Sequence, residues 1–541
     1  MSARLDRVVR EPRSLTTSMD SNSLSRSIRK PFHYPVNKQF IGHPALDKNS
    51  IEHSANYKRY LYYSKLTANN PEAMRIPEHV VPYHFLIAQI PFRHTDADGK
   101  QGSILTIFAV WNMLMGTSLL CLPWALHKAG FALGSIIMLA MLYVCFYTAD
   151  LIVKIPKLIN ASCNEFGDAC YLIFGRWAQI VCIFSSLVTL IGTCVVYWIL
   201  MSNFLFNVVD YVYDFETSNQ SFVIRVNGNE DVFCEQKAQS VNISKSIVEE
   251  ENFFHTYWHP TQTVPFILAF FVAPVLLIKS PTVFMKCNAI GTLSVIYLLA
   301  FVIFKAGKWG FFNINFNDKS SVNYAPLFSS KFAIQTGILS QALFVHNCIL
   351  TALKLNRNPE NNSRDMAIAY ILVGFTYFII AVAIYVAFPL FKECLKDNFL
   401  DNFQSSDITA FITRIFLFIQ IFCLYPLFAY MLRAQIFNVL FPKNPEPKFI
   451  RRLLFALTLS VACIAVAVNF PSIGTIIRFS GSFAGLVLVF TLPPLAYTKA
   501  VRQNKCKDDS KNRVSIIRHI FHAFIIIFGI LNCVFQFTVS D

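Results

Sequence analysis

Long apolar segments recur along this chain and restrict the folds that it can adopt. A helix of about 20 apolar residues spans the hydrocarbon core of a bilayer, where every backbone polar group needs an internal partner. Polar loops separate the segments, which is the pattern of a polytopic, all-α membrane protein. We predict eleven transmembrane helices, at about 103–126, 130–153, 178–209, 263–279, 287–304, 332–353, 366–389, 408–432, 449–469, 473–497 and 515–537.

Composition and charge agree with a membrane protein. Of the 541 residues, 54% are hydrophobic and 15% are charged, whereas soluble proteins carry about 25% charged residues. The net charge of +15 comes mainly from short loops and the N-terminal tail, so membrane orientation explains it better than nucleic acid binding. The excess of Lys and Arg predicts a cytosolic N-terminus, and an odd number of spans then places residues 538–541 on the opposite side of the membrane.

The longest loop, about 210–262, falls on the non-cytosolic side of this topology. It contains glycosylation sequons at Asn219 and Asn242, which agrees with that side. Cys234 in this loop and Cys394 in the loop 390–407 are the only cysteines that the topology clearly places outside the membrane on that face. An oxidising compartment would allow them to form a disulfide; the alternative is two free thiols.

A Gly-Thr-Ser sequence at 116–118 interrupts the first span. A helix in lipid breaks only where it lines a cavity, and an interrupted span points to the binding site of a transporter. Small residues also let helices pack closely, so this span alone leaves both interpretations open. The sixth span contains a second polar interruption, His346-Asn347, for which the alternative is an interhelical hydrogen-bonded pair.

Eleven spans allow a five-plus-five inverted repeat with one extra helix, in which discontinuous first and sixth helices enclose the site. Freed N–H groups at such breaks can bind a carboxylate, and freed carbonyls an ammonium group or a sodium ion. The charged residues within the spans, Asp150, Arg414 and Arg478, lie near span ends, where snorkelling would explain them. No carboxylate lies deep in a span, where it could pair with a cationic substrate. A zwitterionic substrate is therefore favoured.

The sequence contains no nucleophile elbow, phosphate-binding loop, zinc-protease motif or dinucleotide fingerprint, so we predict no enzyme activity and no cofactor other than a candidate coupling ion. Membrane lipids are the expected surroundings. In the eighth span, Leu427, Tyr430 and Arg433 fit a loose cholesterol-recognition pattern, for which an ordinary interfacial Tyr/Arg anchor is the alternative.

The N-terminal tail has two parts. Residues 1–56 are polar and predict a disordered cytosolic segment. Residues 57–102 are richer in aromatic and apolar side chains, which a simple linker does not need. We interpret 57–102 as a docking segment that orders on binding a partner, and 103–537 as the membrane domain.

The chain resembles the sodium-coupled neutral amino acid transporters of the amino acid/auxin permease superfamily. The resemblance covers about 57–537 and is carried by Trp111-Asn112 through Phe131, by Cys234 and Cys394, and by the stretches 197–207, 345–349 and 471–478. In the tail, residues 62–66 and 77–82 resemble the segment with which a lysosomal, arginine-sensing branch of that family docks Rag GTPases and Ragulator.

The resemblance implies arginine binding at the first-span break, export of essential amino acids such as leucine, and a report of amino acid supply to the target-of-rapamycin complex from the lysosomal and late endosomal membrane. The implied substrate-binding residues are Asn112, Met113, Leu114, Met115, Gly116 and Thr117, and the implied docking residues are Tyr63, Leu66, Pro77 and Pro82. Asn112 is a candidate sodium ligand, although the eighth span has Phe422-Cys423 where sodium-coupled relatives have a hydroxyl.

Two other functions remain open at this point. The chain could be a nutrient receptor that does not transport, or a plasma-membrane sodium symporter with a disordered tail. The segment at 62–82 argues against the second alternative, because plasma-membrane relatives lack it.

Overall fold

The computed structural model describes residues 102–161, 163, 165–217, 232–234, 254, 257–278, 289–354, 356–404, 407–441, 449–505 and 513–539. Within these ranges the regular structure is helical, with two isolated β-bridges as the only extended pairing. The α-helices are α1 Ser103–Leu114, α2 Leu122–Ala129, α3 Phe131–Ile159, α4 Phe166–Phe174, α5 Arg176–Thr217, α6 Val264–Leu276, α7 Ala289–Trp309, α8 Phe332–Ala342, α9 Ile349–Leu353, α10 Asn362–Ala387, α11 Ile408–Leu440, α12 Phe449–Asn469, α13 Ile473–Gly485, α14 Leu492–Lys505 and α15 Arg513–Thr538.

The predicted spans coincide with these helices. Among the described residues, eight helices are long and apolar enough to cross a membrane, one of them the continuous stretch Ile473–Gln503 that contains α13 and most of α14. The bent pair 103–114 and 117–129 makes a ninth candidate. Helix α6 is apolar but shorter, and α8 and α9 are two pieces of the predicted sixth span. The chain is therefore an all-α, multi-pass membrane protein. The inverted repeat and the number of eleven crossings stay predictions.

Helix α5 is longer than its predicted span. It has 42 residues and continues to Thr217, eight residues past the expected end at 209. Its last turns are supported outside the apolar region by stacked rings, Tyr211 on Phe411 and Tyr213 on Phe254, each with centroids 4.0 Å apart. The start of the long loop is thus helical because aromatic packing continues where the hydropathy signal ends.

Glycines bring α8 and α13 into backbone contact. A Cβ added at Gly481 would lie 2.5 Å from the carbonyl oxygen of Gly337, and one added at Gly337 would lie 2.9 Å from the carbonyl oxygen of Arg478. On another side of α8, the amide of Asn532 accepts a hydrogen bond from Thr336 (2.6 Å), and Gln536 donates to the carbonyl of Ala333 (2.7 Å). Close packing and buried hydrogen bonds thus fix α8 between α13 and α15.

The loop after α10 covers one end of the helices and is held by a disulfide. Cys394 in this loop is bonded to Cys234, with Cα atoms 5.3 Å apart, as predicted from the topology. Asp397 accepts hydrogen bonds from the Ser472 hydroxyl (3.0 Å) and the Gly474 N–H (2.9 Å), and so caps α13. We call this end the disulfide side, and the opposite end, where α1 begins, the α1 side.

Further polar contacts fix the same loop. Asn203 of α5 donates to the carboxylate of Asp401 (2.6 Å). Arg414 of α11 donates to the carbonyls of Leu400 (2.8 Å) and Phe403 (2.9 Å). Because these bonds reach two helices in addition to α13, the loop is part of the packed protein on this side.

The predicted snorkelling of three charged side chains is wrong. Asp150, Arg414 and Arg478 are at most 7% exposed. Asp150 is paired with Lys154, Arg414 binds loop carbonyls, and Arg478 donates to the carbonyl of Val539 (3.1 Å). Each side chain turns towards backbone or charge partners within the protein, because burial without such partners is costly.

Two of the three residues in the cholesterol pattern on α11 are buried. Leu427 is buried, and Arg433 is 5% exposed and donates to the Leu276 carbonyl at the end of α6 (3.3 Å). Arg433 also lies over the ring of Tyr430, 5.2 Å from its centroid. Leu427 and Arg433 are therefore used in helix packing.

Several predicted residues lie outside the described ranges. These are the whole tail up to residue 101, with Tyr63, Leu66, Pro77 and Pro82, and the sequon residues Asn219 and Asn242.

The carboxyl of Asp401 predicts a pH-dependent stability of the disulfide side. Burial raises the pKa of Asp401 from 3.8 to about 6, against the lowering effects of Arg414 and Asn203. The folded state therefore favours the protonated carboxyl, and this contribution is present below about pH 4 and is lost as the pH rises through 6. We expect the purified protein to melt at a higher temperature at pH 5 than at pH 7.5, with an upper limit of about 3 kcal/mol for a two-unit shift.

The matched variant is Asp401→Asn, which has no titrating group at this position. Its melting temperature should change less between pH 5 and 7.5 than that of the wild-type protein. Equal slopes for the two proteins would contradict the assignment to Asp401.

Candidate functional site

The first predicted break is present. Helix α1 ends at Leu114, a 3₁₀-helix runs from Thr117 to Cys121, and the two parts of the span are bent by 56°. Between them, Gly116 has φ −109° and ψ −175°, an extended conformation that any residue can adopt. Backbone strain therefore gives no reason for a glycine at this position.

Packing gives no reason either. A Cβ added at Gly116 would meet no atom within 4 Å, whereas one added at Gly130 would lie 2.8 Å from the carbonyl oxygen of Leu327. Close helix packing, the first alternative for this break, is thus excluded at Gly116. A glycine beside open space leaves room for another molecule to approach the backbone.

The second break lies between α8 and α9. Helix α8 ends at Ala342, and α9 begins at Ile349. Two tyrosines of α10 reach the freed carbonyls: the Tyr370 hydroxyl donates to Leu343 (3.2 Å), and the Tyr377 hydroxyl lies 2.8 Å from the Ala342 oxygen. Discontinuous first and sixth helices are therefore confirmed, and α10 partly satisfies the second break.

Tyr377 also joins the two breaks. Its hydroxyl lies 2.5 Å from the carbonyl oxygen of Leu114 as well as 2.8 Å from that of Ala342. A hydroxyl has a single proton, so it can serve one carbonyl at a time. Nearby, Trp111 donates to the Thr376 hydroxyl (3.3 Å), and α10 thereby holds the end of α1 beside the end of α8.

A cavity of about 320 Å³ connects the breaks, which is within the usual range for a small-molecule site. All six residues predicted at the first break line it: Asn112, Met113, Leu114, Met115, Gly116 and Thr117. The remaining lining comes mainly from α5, α8, α11, α13 and the residues 344–352 around the second break.

Only one of the two residues predicted at the second break lines the cavity. Asn347 does, together with Val345 and Cys348. His346 is fully buried elsewhere, with Nε2 2.9 Å from the Thr148 hydroxyl of α3. The structure thus places His346 in an interhelical hydrogen bond, the alternative interpretation, and outside the cavity lining.

The cavity extends towards the α1 side. Its lining on α11 runs from Gln420 to Gln435, 15 residues or about 22 Å along an α-helix. At the α1 side it is lined by Phe108, near the start of α1, and by Glu165, which precedes α4. The loop after α10 packs over the disulfide side.

The cavity is polar at several points but carries little charge. Buried oxygens of Ser186, Gln420 and Gln435 line it and have no hydrogen-bond partner among the described residues. Asn112 accepts a hydrogen bond from the Thr292 hydroxyl of α7 (3.3 Å). Glu165 is the only lining residue with a charged side chain, since no Lys, Arg or Asp is present in the described lining.

Comparison with known proteins agrees with this geometry. Residues 100–227 and 240–540 match the family described as transmembrane amino acid transporter protein. The chain belongs to this family. Neutral amino acid transporter 9 of Danio rerio is 37% identical over 96% of this chain and 96% of its own length, and that of Rattus norvegicus is 36% identical over 97% and 96%. A sodium-coupled neutral amino acid transporter 9 homolog of Caenorhabditis elegans is 37% identical over 90% of this chain and 81% of its own length.

These relatives confirm the resemblance to sodium-coupled neutral amino acid transporters. Sequence reasoning nevertheless missed three kinds of site residue in this family member. Tyr370 and Tyr377 lie seven residues apart on one face of the seventh span, a spacing that marks a shared face but no partner. Glu165 lies outside the spans, and Gln420 and Gln435 gave no motif.

Gly116→Val tests whether the open space at the first break serves binding. The new side chain should enter the cavity without a clash with the protein, so folding should be preserved while amino acid transport falls by about ten-fold or more. Transport in proteoliposomes and melting temperature are the two measurements.

Gly102→Val is the matched control, because a Cβ at Gly102 also meets no atom within 4 Å and Gly102 does not line the cavity. Normal transport by Gly116→Val, or an equal loss in the control, would contradict a binding role for this break.

Proposed function

We propose that the protein transports amino acids across its membrane through the cavity between the two broken helices. The observation that carries the proposal is the cavity itself, which is lined by both breaks and extends to the α1 side. Membership of an amino acid transporter family supports it independently.

The breaks supply the chemistry for a zwitterion. The 3₁₀-helix begins at Thr117, and the first N–H groups of a helix have no intrahelical partner, so they attract a substrate carboxylate. The last carbonyls of α1 and α8 carry the opposite partial charge and attract the substrate ammonium group. Tyr377 lies within hydrogen-bond distance of two of these carbonyls and can donate to one of them at a time, which leaves the other for the ammonium group.

Sodium is the candidate coupling ion. Asn112 Oδ1 and Thr292 Oγ1 lie 3.3 Å apart beside the first break and would hold a sodium ion together with freed carbonyl oxygens. A sodium ion bound there would link its own gradient to substrate movement. Helix α11 contributes only Gln420 and Gln435 as polar side chains to the described lining, so this ion would depend on α1 and α7.

Radiolabelled amino acid flux in proteoliposomes tests the transport proposal, with and without sodium and with a pH gradient of either direction. Thr117→Trp should reduce flux by at least ten-fold, because an indole at the start of the 3₁₀-helix fills the site. Ile371→Trp is the control, since Ile371 is 67% exposed on α10 and lies away from the cavity.

Wild-type flux equal to that of empty liposomes would instead favour a receptor that does not transport. Unchanged flux in Thr117→Trp would overturn the assignment of this residue.

We further propose that the transporter works in the lysosomal and late endosomal membrane. There it would bind arginine, export essential amino acids such as leucine, and signal amino acid supply to the target-of-rapamycin complex through Rag GTPases and Ragulator. The support is the resemblance of residues 62–66 and 77–82 to the docking segment of lysosomal relatives. The full-length match to the transporter 9 proteins also supports it.

The tail is tested by substitution. Alanines at Tyr63, Leu66, Pro77 and Pro82 should abolish pull-down of Rag GTPases and Ragulator from cells and leave flux in proteoliposomes unchanged. Tyr34→Ala with Pro35→Ala, the same residue types in the 1–56 segment, is the control.

Pull-down that survives the four substitutions would overturn the docking assignment. Location of the tagged protein at the cell surface would favour the plasma-membrane symporter.

A further inference from the structure

Basic side chains of α14 and α15 come together at the α1 side. The continuous stretch Ile473–Gln503 begins at the capped end of α13 on the disulfide side, so it brings α14 to the α1 side, where α15 begins after a short connection. Arg502 Nη2 of α14 lies 3.4 Å from Nε2 of His519 on α15. Arg518 Nη1 of α15 lies 3.4 Å from the hydroxyl of Tyr497 on α14. The two helices therefore direct their basic side chains to one shared surface.

A third cation belongs to this surface. Lys499 lies one helical turn before Arg502 and over the ring of Phe174 at the end of α4, with Nζ 4.8 Å from the ring centroid. Trp177, which begins α5 next to Phe174, is 60% exposed, and exposed Trp side chains are typical of the headgroup level of a membrane. We call Lys499, Arg502 and Arg518 the α14–α15 cations, and infer that they lie at headgroup depth.

No acid in the described part of the chain pairs with these three cations. Helices α14 and α15 contain neither Asp nor Glu. The connection 506–512 contains two Lys and two Asp and so adds no net charge. Orientation in the membrane explains an excess of cations on one side, but it does not explain why two helices bring them to one surface. Like charges on neighbouring helices repel each other, so the arrangement favours an anion bound between them.

The surroundings of the cations favour a lipid over a soluble anion. Ile517 and Ile520 flank Arg518 and His519 along α15 and are 73% and 65% exposed. In a multi-pass membrane protein, exposed apolar side chains of this kind contact acyl chains. A phosphate monoester carries a charge of about −1.5 to −2 at pH 7 and binds Arg through charge-assisted hydrogen bonds. Three cations beside an apolar surface therefore match a phospholipid with a phosphorylated headgroup.

We propose that the α14–α15 cations bind the headgroup of a phosphoinositide, an anionic phospholipid that carries a phosphate monoester. Basic pockets between transmembrane helices are suited to such headgroups. The lipid would join α14 to α15 just outside His522, whose ring nitrogens lie 2.9 Å from the hydroxyls of Thr498 and Tyr147. Because α15 also packs against α8, a bound lipid would stabilise the helices around the cavity without entering it. The proposal concerns a surface outside the cavity and does not depend on amino acid transport.

Native mass spectrometry of the purified full-length protein in detergent tests the proposal. The added lipids are a phosphatidylinositol monophosphate, phosphatidylserine and phosphatidylcholine, all with the same acyl chains. The wild-type protein should bind the phosphoinositide more tightly than phosphatidylserine, by about ten-fold, because its headgroup carries more negative charge. Lys499→Gln with Arg502→Gln and Arg518→Gln should weaken phosphoinositide binding by about a hundred-fold, or about five-fold for each cation, and abolish the preference over phosphatidylserine.

Lys157→Gln with Arg357→Gln and Arg451→Gln is the matched control. It removes the same charge from other helix ends on the α1 side, since Lys157 donates to the Pro359 carbonyl before α10 and Arg451 lies over the ring of Phe441 after α11. Phosphoinositide binding by this variant should equal that of the wild-type protein. An equal loss in both variants would show that overall positive charge decides binding, and would overturn the proposal.

The wild-type protein alone provides a second test, which holds even if the triple variant does not fold. The soluble headgroup, an inositol bisphosphate, competes with the lipid for the protein. It should need a concentration at least about ten-fold higher than that of the lipid, because it has no acyl chains to bury. Displacement at equal concentration would assign the cations to a soluble phosphate compound and overturn the lipid assignment. Equal binding of the phosphoinositide and phosphatidylserine would overturn it as well.

Discussion

The need to satisfy backbone polar groups in a lipid environment governs this structure. An unbroken helix meets that need internally, and two spans here are broken, so some N–H and C=O groups must find other partners. Tyr377 lies within hydrogen-bond distance of one freed carbonyl from each break, and such a bond inside a membrane is worth about 0.6–2 kcal/mol. The backbone N–H and C=O groups of the breaks that Tyr377 and Tyr370 do not bind face a cavity, where a zwitterionic ligand can bind them. Binding capacity therefore comes from helix breaks that the protein itself satisfies only in part.

The two ends of the protein differ in how firmly they are fixed. On the disulfide side, Asp397 caps α13, Asp401 accepts from α5, and Arg414 holds two loop carbonyls. On the α1 side the cavity lining continues to Phe108 and Glu165. An alternating-access transporter must close one side while the other is accessible, and these bonds would keep the disulfide side closed. Opening the disulfide side would require the capping bonds of Asp397 to break or to move together with α13.

The sequence predicts most of the helices and the first break, because hydropathy and a glycine inside an apolar run are local properties. It predicts the Cys234–Cys394 bond because topology leaves few exterior cysteines. It fails where the direction of a side chain decides the role. His346 and Asn347 are neighbours, yet one packs against Thr148 and the other lines the cavity. Arg414 was expected at the interface and is instead buried against loop carbonyls whose position no local pattern encodes.

The position of α1 bears on how occupancy of the cavity could affect the tail. The described chain enters α1 at Ser103, and within that helix Phe108, Trp111 and Asn112 already line the cavity. Only 12 residues therefore separate the start of the span from the first break, about 18 Å of helix. The described side-chain hydrogen bonds that hold its inner end are those of Trp111 to Thr376, Thr292 to Asn112 and Tyr377 to the Leu114 carbonyl. A ligand or ion that changes the second contact acts directly on the helix to which the tail is attached. The proposed signalling through the tail would then need no separate relay, because α1 itself joins the site to the α1 side.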